Sequence, residues 1–233
     1  VIRQTIFSIA ANDSNKIMTG ELFDINGSEM RVVSLDGHRI SIRKILLKSE
    51  YEPKKVIVPG KTLTEISKIL TGGTEDIVDI YFTNNHILFE FETTVVVSRL
   101  IEGNYFRVDQ MLTNDYETKV TINKKEFLDC IDRATLMVKE GDKRPIILNI
   151  AEDVMELKIS SQIGSMDELI DIELEGKNIK IGFNPKLLID ALRVIDDEKI
   201  DIYYMNPKAP CFIRDEEQSY IYLILPVNFI DND

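Results

Sequence analysis

Apolar positions along the chain follow two periods, and the order in which those periods alternate is repeated. In TLTEISKIL (62–70) and KLLIDALRVI (186–195), Leu and Ile recur at three- and four-residue spacing, the mark of a helix with one buried face. Each follows a short β-branched run ending in Pro or Asn, VIVPGK and IGFNPK, so Lys61 corresponds to Lys186 at an offset of about 125 residues. Just beyond, DIVDIYFTNNHILFEF (76–91) and KIDIYYMNPKAPCFI (199–213) alternate with the two-residue period of a strand on either side of an Asn-containing turn, and each predicts a hairpin. Upstream, GELFDINGSEMRVVSLDG (20–37) matches ILNIAEDVMELKISSQIG (147–164) as two strands about a polar turn, and IRQTIFSIA (2–10) matches FLDCIDRATLM (127–137) as helix. The pattern predicts helices over 1–16, 61–71, 123–144 and 185–195 and an α+β fold made of one unit repeated in tandem. That unit has a helix, two or three strands, a second helix and three strands, with its two helices on one face of antiparallel sheets.

The copies differ where they begin. YETKVTI (116–122) reads as a strand ahead of the helix of the second copy, whereas the first starts directly in its helix at Val1, which suggests a chain cut from a longer one. The break falls in the short polar connection LTNDYET (112–118), giving expected domains of 1–115 and 116–233.

Composition narrows the class. A chain of 233 residues with 44% hydrophobic content can bury a substantial core. No apolar run approaches the roughly 20 residues needed to cross a bilayer, and VIRQTIFSIAAND lacks the features of an export signal. Cys130 and Cys211 stand alone in apolar contexts and read as buried thiols, in keeping with a reducing cytoplasm. The net charge of −12 argues at first against a nucleic-acid partner. The four predicted helices, however, hold twelve Lys/Arg against eight acids, which leaves 16 bases and 32 acids for everything else. Two readings remain open: helices merely tolerating Lys and Arg, or one mildly basic helical face on an acidic molecule.

SLDGHRISI (34–42) places an acid, an imidazole and a guanidinium within four residues, in a strand-like run broken by Asp36-Gly37. Catalysis would need a nucleophile or second base converging on His38, and metal binding would need more ligands. The other histidine, His86, lies in a separate hairpin turn, and no HxxxH or CxxC spacing occurs. The expectation is therefore no enzyme, no metal and no cofactor, with His38 and Arg39 fixing the turn or lining a binding pocket. A hydrolase built on Asp36 and His38 would lack a third group.

The same stretch resembles the TDSHRLA-type signature of the bacterial beta sliding clamp, the processivity subunit of DNA polymerase III. The resemblance extends to IMTGELFDI (17–25), VIVPGKTLTEISKIL (56–70), VSRLIEGNY (97–105), IKIGFNPKLLIDAL (179–192) and YIYLILPV (220–227), in the family's order and spacing. It implies a full protomer of three such units, dimerised head to tail as a ring around duplex DNA with helices inside. The chain then resembles the second domain without its first strand plus the third, and by itself is expected to be a monomer.

The implied function is binding. In the family, polymerase, clamp loader and repair proteins insert a short peptide, a Gln followed by Leu and Phe, into an apolar pocket between the second and third domains. The matching positions are Met18, Leu35, Gly37, His38, Arg39 and Ile40 in the first copy, and Asn184, Leu187, Lys208, Pro210, Leu223, Leu225, Pro226 and Val227 in the second. For sequence-independent DNA contact they are Asn12, Lys16 and Lys61. Leu35 stands where the family has Thr or Ser, and Phe106 where it has Pro, which leaves Phe106 and Met111 outside the set. After LILPV the tail NFIDND either folds back over the pocket or hangs free. A freestanding peptide-binding scaffold without ring closure is the alternative.

Overall fold

The computed structural model describes residues 1–11, 15–70, 73, 77–138 and 144–229, and the chain divides into two units, Val1–Leu112 and Thr113–Asp233. In the first, β1 (Gly20–Leu35) pairs antiparallel with β2 (Arg39–Pro59), α1 (Gly60–Ile69) follows, and β3 (Asp79–Phe82), β4 (His86–Phe91) and β5 (Thr94–Arg99) form a separate sheet in that order. β1 is not straight. An Arg31 Nη2 lies 3.1 Å from Asp24 Oδ2, whereas seven extended residues would hold them about 23 Å apart. The chain therefore reverses around Gly27, whose φ of 61° lies in the left-handed region, and β1 is a hairpin nested within β2. That is the pair of strands about a polar turn expected for 20–37.

The second unit runs β6 (Thr118–Asn123), α2 (Lys124–Thr135), β7 (Ile146–Ala151), β8 (Val154–Ser160), β9 (Ser165–Gly176), β10 (Ile179–Phe183), α3 (Pro185–Leu192), β11 (Lys199–Tyr204), β12 (Cys211–Arg214) and β13 (Tyr220–Ile224). Its strands lie in the order β13-β12-β11-β6-β9-β8-β7-β10, every neighbour antiparallel. Asn123 and Asn184 cap the two helices by accepting from the backbone N–H groups of Glu126 and Lys186, and Pro185 sits where a missing N–H does no harm. Both Cys130 and Cys211 are free and buried. Arg214 stacks 4.4 Å from the Tyr203 ring and donates to Thr113 O and Asn114 Oδ1 at 2.8 and 2.7 Å, which ties the polar connection to this unit.

The repeat is visible in the register. Leu22 faces Ile57 in the first unit as Ile147 faces Gly182 in the second, and Val33 faces Ile42 as Lys158 faces Asp167, each displaced by 125 positions. The cross-turn pair Asp24–Arg31 recurs as Asn149–Glu156, and the chain leaving the last strand is tied back to the matching carbonyl with the donor one residue further along, Ile101 N to Ile57 O and Val227 N to Gly182 O, both 2.9 Å.

Three expectations need correction. The described part of 1–16 is not one α-helix: 3-10 turns cover Ile2–Gln4 and Ile6–Ser8, and another covers Lys16–Thr19 behind the Asn15 cap, while 12–14 lie outside the described residues. β-branched Val1, Ile2, Thr5, Ile6 and Ile9 weaken a helix, and its carbonyls are claimed from outside, Thr5 O by the Ser34 hydroxyl at 2.6 Å and Phe7 O by Arg39 at 2.6 Å. The first unit accordingly has one α-helix, with this 3-10 segment in place of the other. α2 ends at Thr135 rather than 144, and residues 139–143 lie outside the described residues. No described helix is long and apolar enough to cross a membrane.

The core of the first unit gathers Phe23, Ile25, Met30 and Val32 from β1, Leu63 and Ile66 from α1, and Ile87 and Phe89 from β4. Glu21, at the position matched by buried Ile146, is fully buried there, and neither carboxylate oxygen has a hydrogen-bond partner among the described residues. Burial pushes its carboxyl up to about 8, opposed only in part by the nearby Thr5 hydroxyl and the chain's amino group. An acid whose folded pKa is raised binds its proton more tightly folded than unfolded, so stability is fully present below about pH 4.5 and falls as pH rises towards 8. Glu21→Ile should therefore stabilise the first unit by about 1–3 kcal/mol at pH 8, and by less at pH 5, read from thermal unfolding at the two pH values.

A Cβ at Gly182 would meet the Phe229 ring at 2.7 Å and Val227 O at 3.0 Å, so the tail as far as Phe229 folds back along β10; the rest of NFIDND lies outside the described residues. Gly182→Ala should displace that segment at a cost of about 1–3 kcal/mol. Faster amide exchange at Val227 and partial rescue by adding Phe229→Ala are the expected readouts.

Candidate functional site

The turn after β1 is built by its own acid. Asp36 Oδ1 accepts from the backbone N–H groups of His38 and Arg39 at 3.0 and 3.2 Å, Oδ2 accepts from Arg39 Nε at 2.9 Å, and Gly37 takes a φ of 86° that favours glycine. The Arg39 guanidinium also donates to Phe7 O and lies 5.2 Å from the Phe7 ring centre, leaving the residue 8% exposed. Ser8 and Ser41 share a hydrogen bond of 2.5 Å beside it. Arg39 is thus a brace between the turn and the 3-10 segment. Gly37 and His38 are exposed on the turn, and Leu35 and Ile40, paired across it, are buried at 5% and 6%. Met18 is half-buried.

This arrangement suits a binding wall and not a hydrolytic centre. Both Asp36 oxygens hold the turn, and it is the His38 backbone, not its imidazole, that bonds to them. Among the described residues, no three His, Cys, Asp or Glu side chains are grouped to hold a metal.

In the second unit, Asn184 is spent as the α3 cap, and Leu187 on the first turn of that helix is 9% exposed. Leu223 is buried in β13; the ladder ends at Ile224, so Leu225, 36% exposed, and half-buried Pro226 and Val227 follow it as a bonded edge segment rather than as strand. Exposed Lys208 and half-buried Pro210 lie in the β11–β12 connection, where Asn206 Oδ1 accepts from the N–H groups of Lys208 and Ala209, both at 2.9 Å. Of the residues matched for DNA, Lys16 and Lys61 are exposed at the starts of a 3-10 turn and of α1, and Asn12 lies outside the described residues.

The sequence reading missed a groove of about 600 Å3 on the first unit, lined among others by Lys55, Ile57, Asn84, Tyr105, Phe106 and Arg107. It draws on β2, the β3–β4 turn and the segment after β5, and no periodicity links three such segments. The departure at Phe106 was the available signal.

Comparison with known proteins agrees with the geometry. Residues 1–106 match the model of the DNA polymerase III beta subunit, central domain, and residues 109–228 that of its C-terminal domain. A beta sliding clamp of Staphylococcus aureus is 36% identical over 97% of this chain and 61% of its own. Among solved structures, a DNA polymerase III beta subunit from Eubacterium rectale is 69% identical with a TM-score of 0.96, covering 98% of this chain and 62% of that one. The Bacillus subtilis sliding clamp is 35% identical with a TM-score of 0.94, over 98% and 61%. The chain thus spans about three fifths of the length of these relatives. With both units matched in order and nearly every residue covered, the chain belongs to the DNA polymerase III beta subunit family, the beta sliding clamps.

Proposed function

We propose that this chain supplies the peptide-receiving and DNA-facing parts of a cytoplasmic sliding clamp. The whole protein is read as a non-catalytic processivity subunit that closes as a homodimeric ring around duplex DNA and tethers the replicative polymerase, clamp loader and repair proteins. What supports this reading is family membership together with an apolar wall in each unit taken by itself: Leu35 and Ile40 behind the braced turn in one, and Leu187, Leu223 and Leu225 around the end of β13 in the other. Leu and Phe anchors need preformed apolar surface, and Gly37, His38 and the backbone of their turn are exposed to orient a peptide. Lys16 and Lys61, exposed and without ion-pair partners among the described residues, suit loose phosphate contact that reads no sequence.

An anchor side chain buried on such a wall contributes about 1.5–3 kcal/mol. Leu225→Asp should therefore reduce binding of a fluorescent Gln-Leu-Ser-Leu-Phe peptide at least roughly tenfold in polarisation assays, while far-UV circular dichroism stays unchanged because Leu225 is already 36% exposed. Lys61→Glu should leave that peptide's affinity alone and shorten the residence of the full-length ring on circular DNA. Peptide binding that survives Leu225→Asp would misplace the pocket.

A further inference from the structure

The groove of the first unit lies directly behind the turn wall. Tyr105 lines it and donates its hydroxyl to Gly20 O at 3.4 Å, next to the Leu35 backbone. Gly103 also lines it and backs onto Ile17, the neighbour of Met18. The rings of Tyr105 and Phe106 meet edge to face at 6.0 Å, so aromatic surface runs from the wall into the groove.

Two further features make the groove selective. The first is backbone on the outer side of β2: Ile57 O accepts from Ile101 N, and in an antiparallel ladder the N–H and C=O of Lys55, two residues along, point to the same side, towards the groove that both residues line. The second is charge. Lys55 is 68% exposed and pairs with Asp24 Oδ2 at 3.0 Å, and Arg31 at the base bonds to both Asp24 and Asp109, so these two cations balance those two acids; Arg107, exposed with no side-chain partner among the described residues, and Lys44, which also acts on Asp109, add positive charge. In a chain of net charge −12, Arg107 and Lys44 leave a small local surplus of positive charge beside this backbone.

We propose that the groove receives an acidic, extended flank of the partner peptide whose apolar anchors lie on the Leu35–Ile40 wall, a reading that rests on the peptide-binding function above. The flank adds along the outer side of β2 at Lys55, and its carboxylates meet Lys55 and Arg107.

The test uses the 233-residue chain and three fluorescein-labelled Gln-Leu-Ser-Leu-Phe peptides: one flanked by serines, one with three aspartates before the core, and one with three aspartates after it. One acidic peptide should bind roughly threefold to tenfold tighter than the serine peptide at low salt, and the gain should shrink at high salt. The double variant Lys55→Glu/Arg107→Glu should abolish the gain while binding the serine peptide as before. Equal affinity of all three peptides for the unmodified chain would overturn the groove and leave the pocket standing. If no peptide binds, the pocket reading falls and the groove falls with it.

Discussion

Each unit depends on a backbone reversal in the left-handed region at the tip of its inner hairpin. Only after that reversal can two consecutive strands lie side by side between two others and form the four-stranded ladder on which the helices pack. In the first unit Gly27 makes it at a φ of 61° without a side-chain penalty; in the second, Glu152 and Asp153 make it at 52° and 61°. The Asp153 side chain is then used, its carboxylate accepting from Leu174 N at 2.8 Å on the flanking strand. Once the reversal is set, register follows from the buried face, because a slip of one residue would turn Phe23 and Ile25, or Leu148 and Ile150, to the outside.

Much of this was legible in the sequence, for a physical reason. α1, α2 and α3 are specified by local periodicity, α2 and α3 also by Asn caps that act within three residues, and hairpins by alternation about polar turns. The duplication could be read because the same local signals recur at one offset. Residues 1–16 resisted because their conformation is decided by Ser34 and Arg39, side chains about thirty positions away that take the carbonyls a helix would use. Glu21 resisted for a related reason: it occupies the inward position of an alternating strand, where polarity gives no sign of burial. For the candidate site, the wall residues came from the family resemblance, whereas the division of labour within SLDGHRISI came only with the structure. Arg39 is a brace, Asp36 builds the turn, and His38 is the exposed member.

A braced turn suits the peptide docking proposed above. A peptide that docks on a loop must meet the entropy of ordering that loop as well as itself. Here the turn is fixed in advance by three hydrogen bonds to Asp36, by the Arg39 bond to Phe7 O and by a serine pair beside it, so the surface behind Gly37 is already arranged. On the second unit, the Asn184 cap and the tie from Val227 to Gly182 give Leu187 and Leu225 the same kind of support.

The two cysteines have a practical consequence. Both are fully buried, and burial pushes each thiol up to about 12, so at neutral pH both stay in the unreactive thiol form. The chain is therefore almost silent towards maleimides and mild oxidants. A single cysteine introduced on an exposed residue such as His38 would be the one labelled position, with the native thiols serving as a built-in report that the fold has stayed closed.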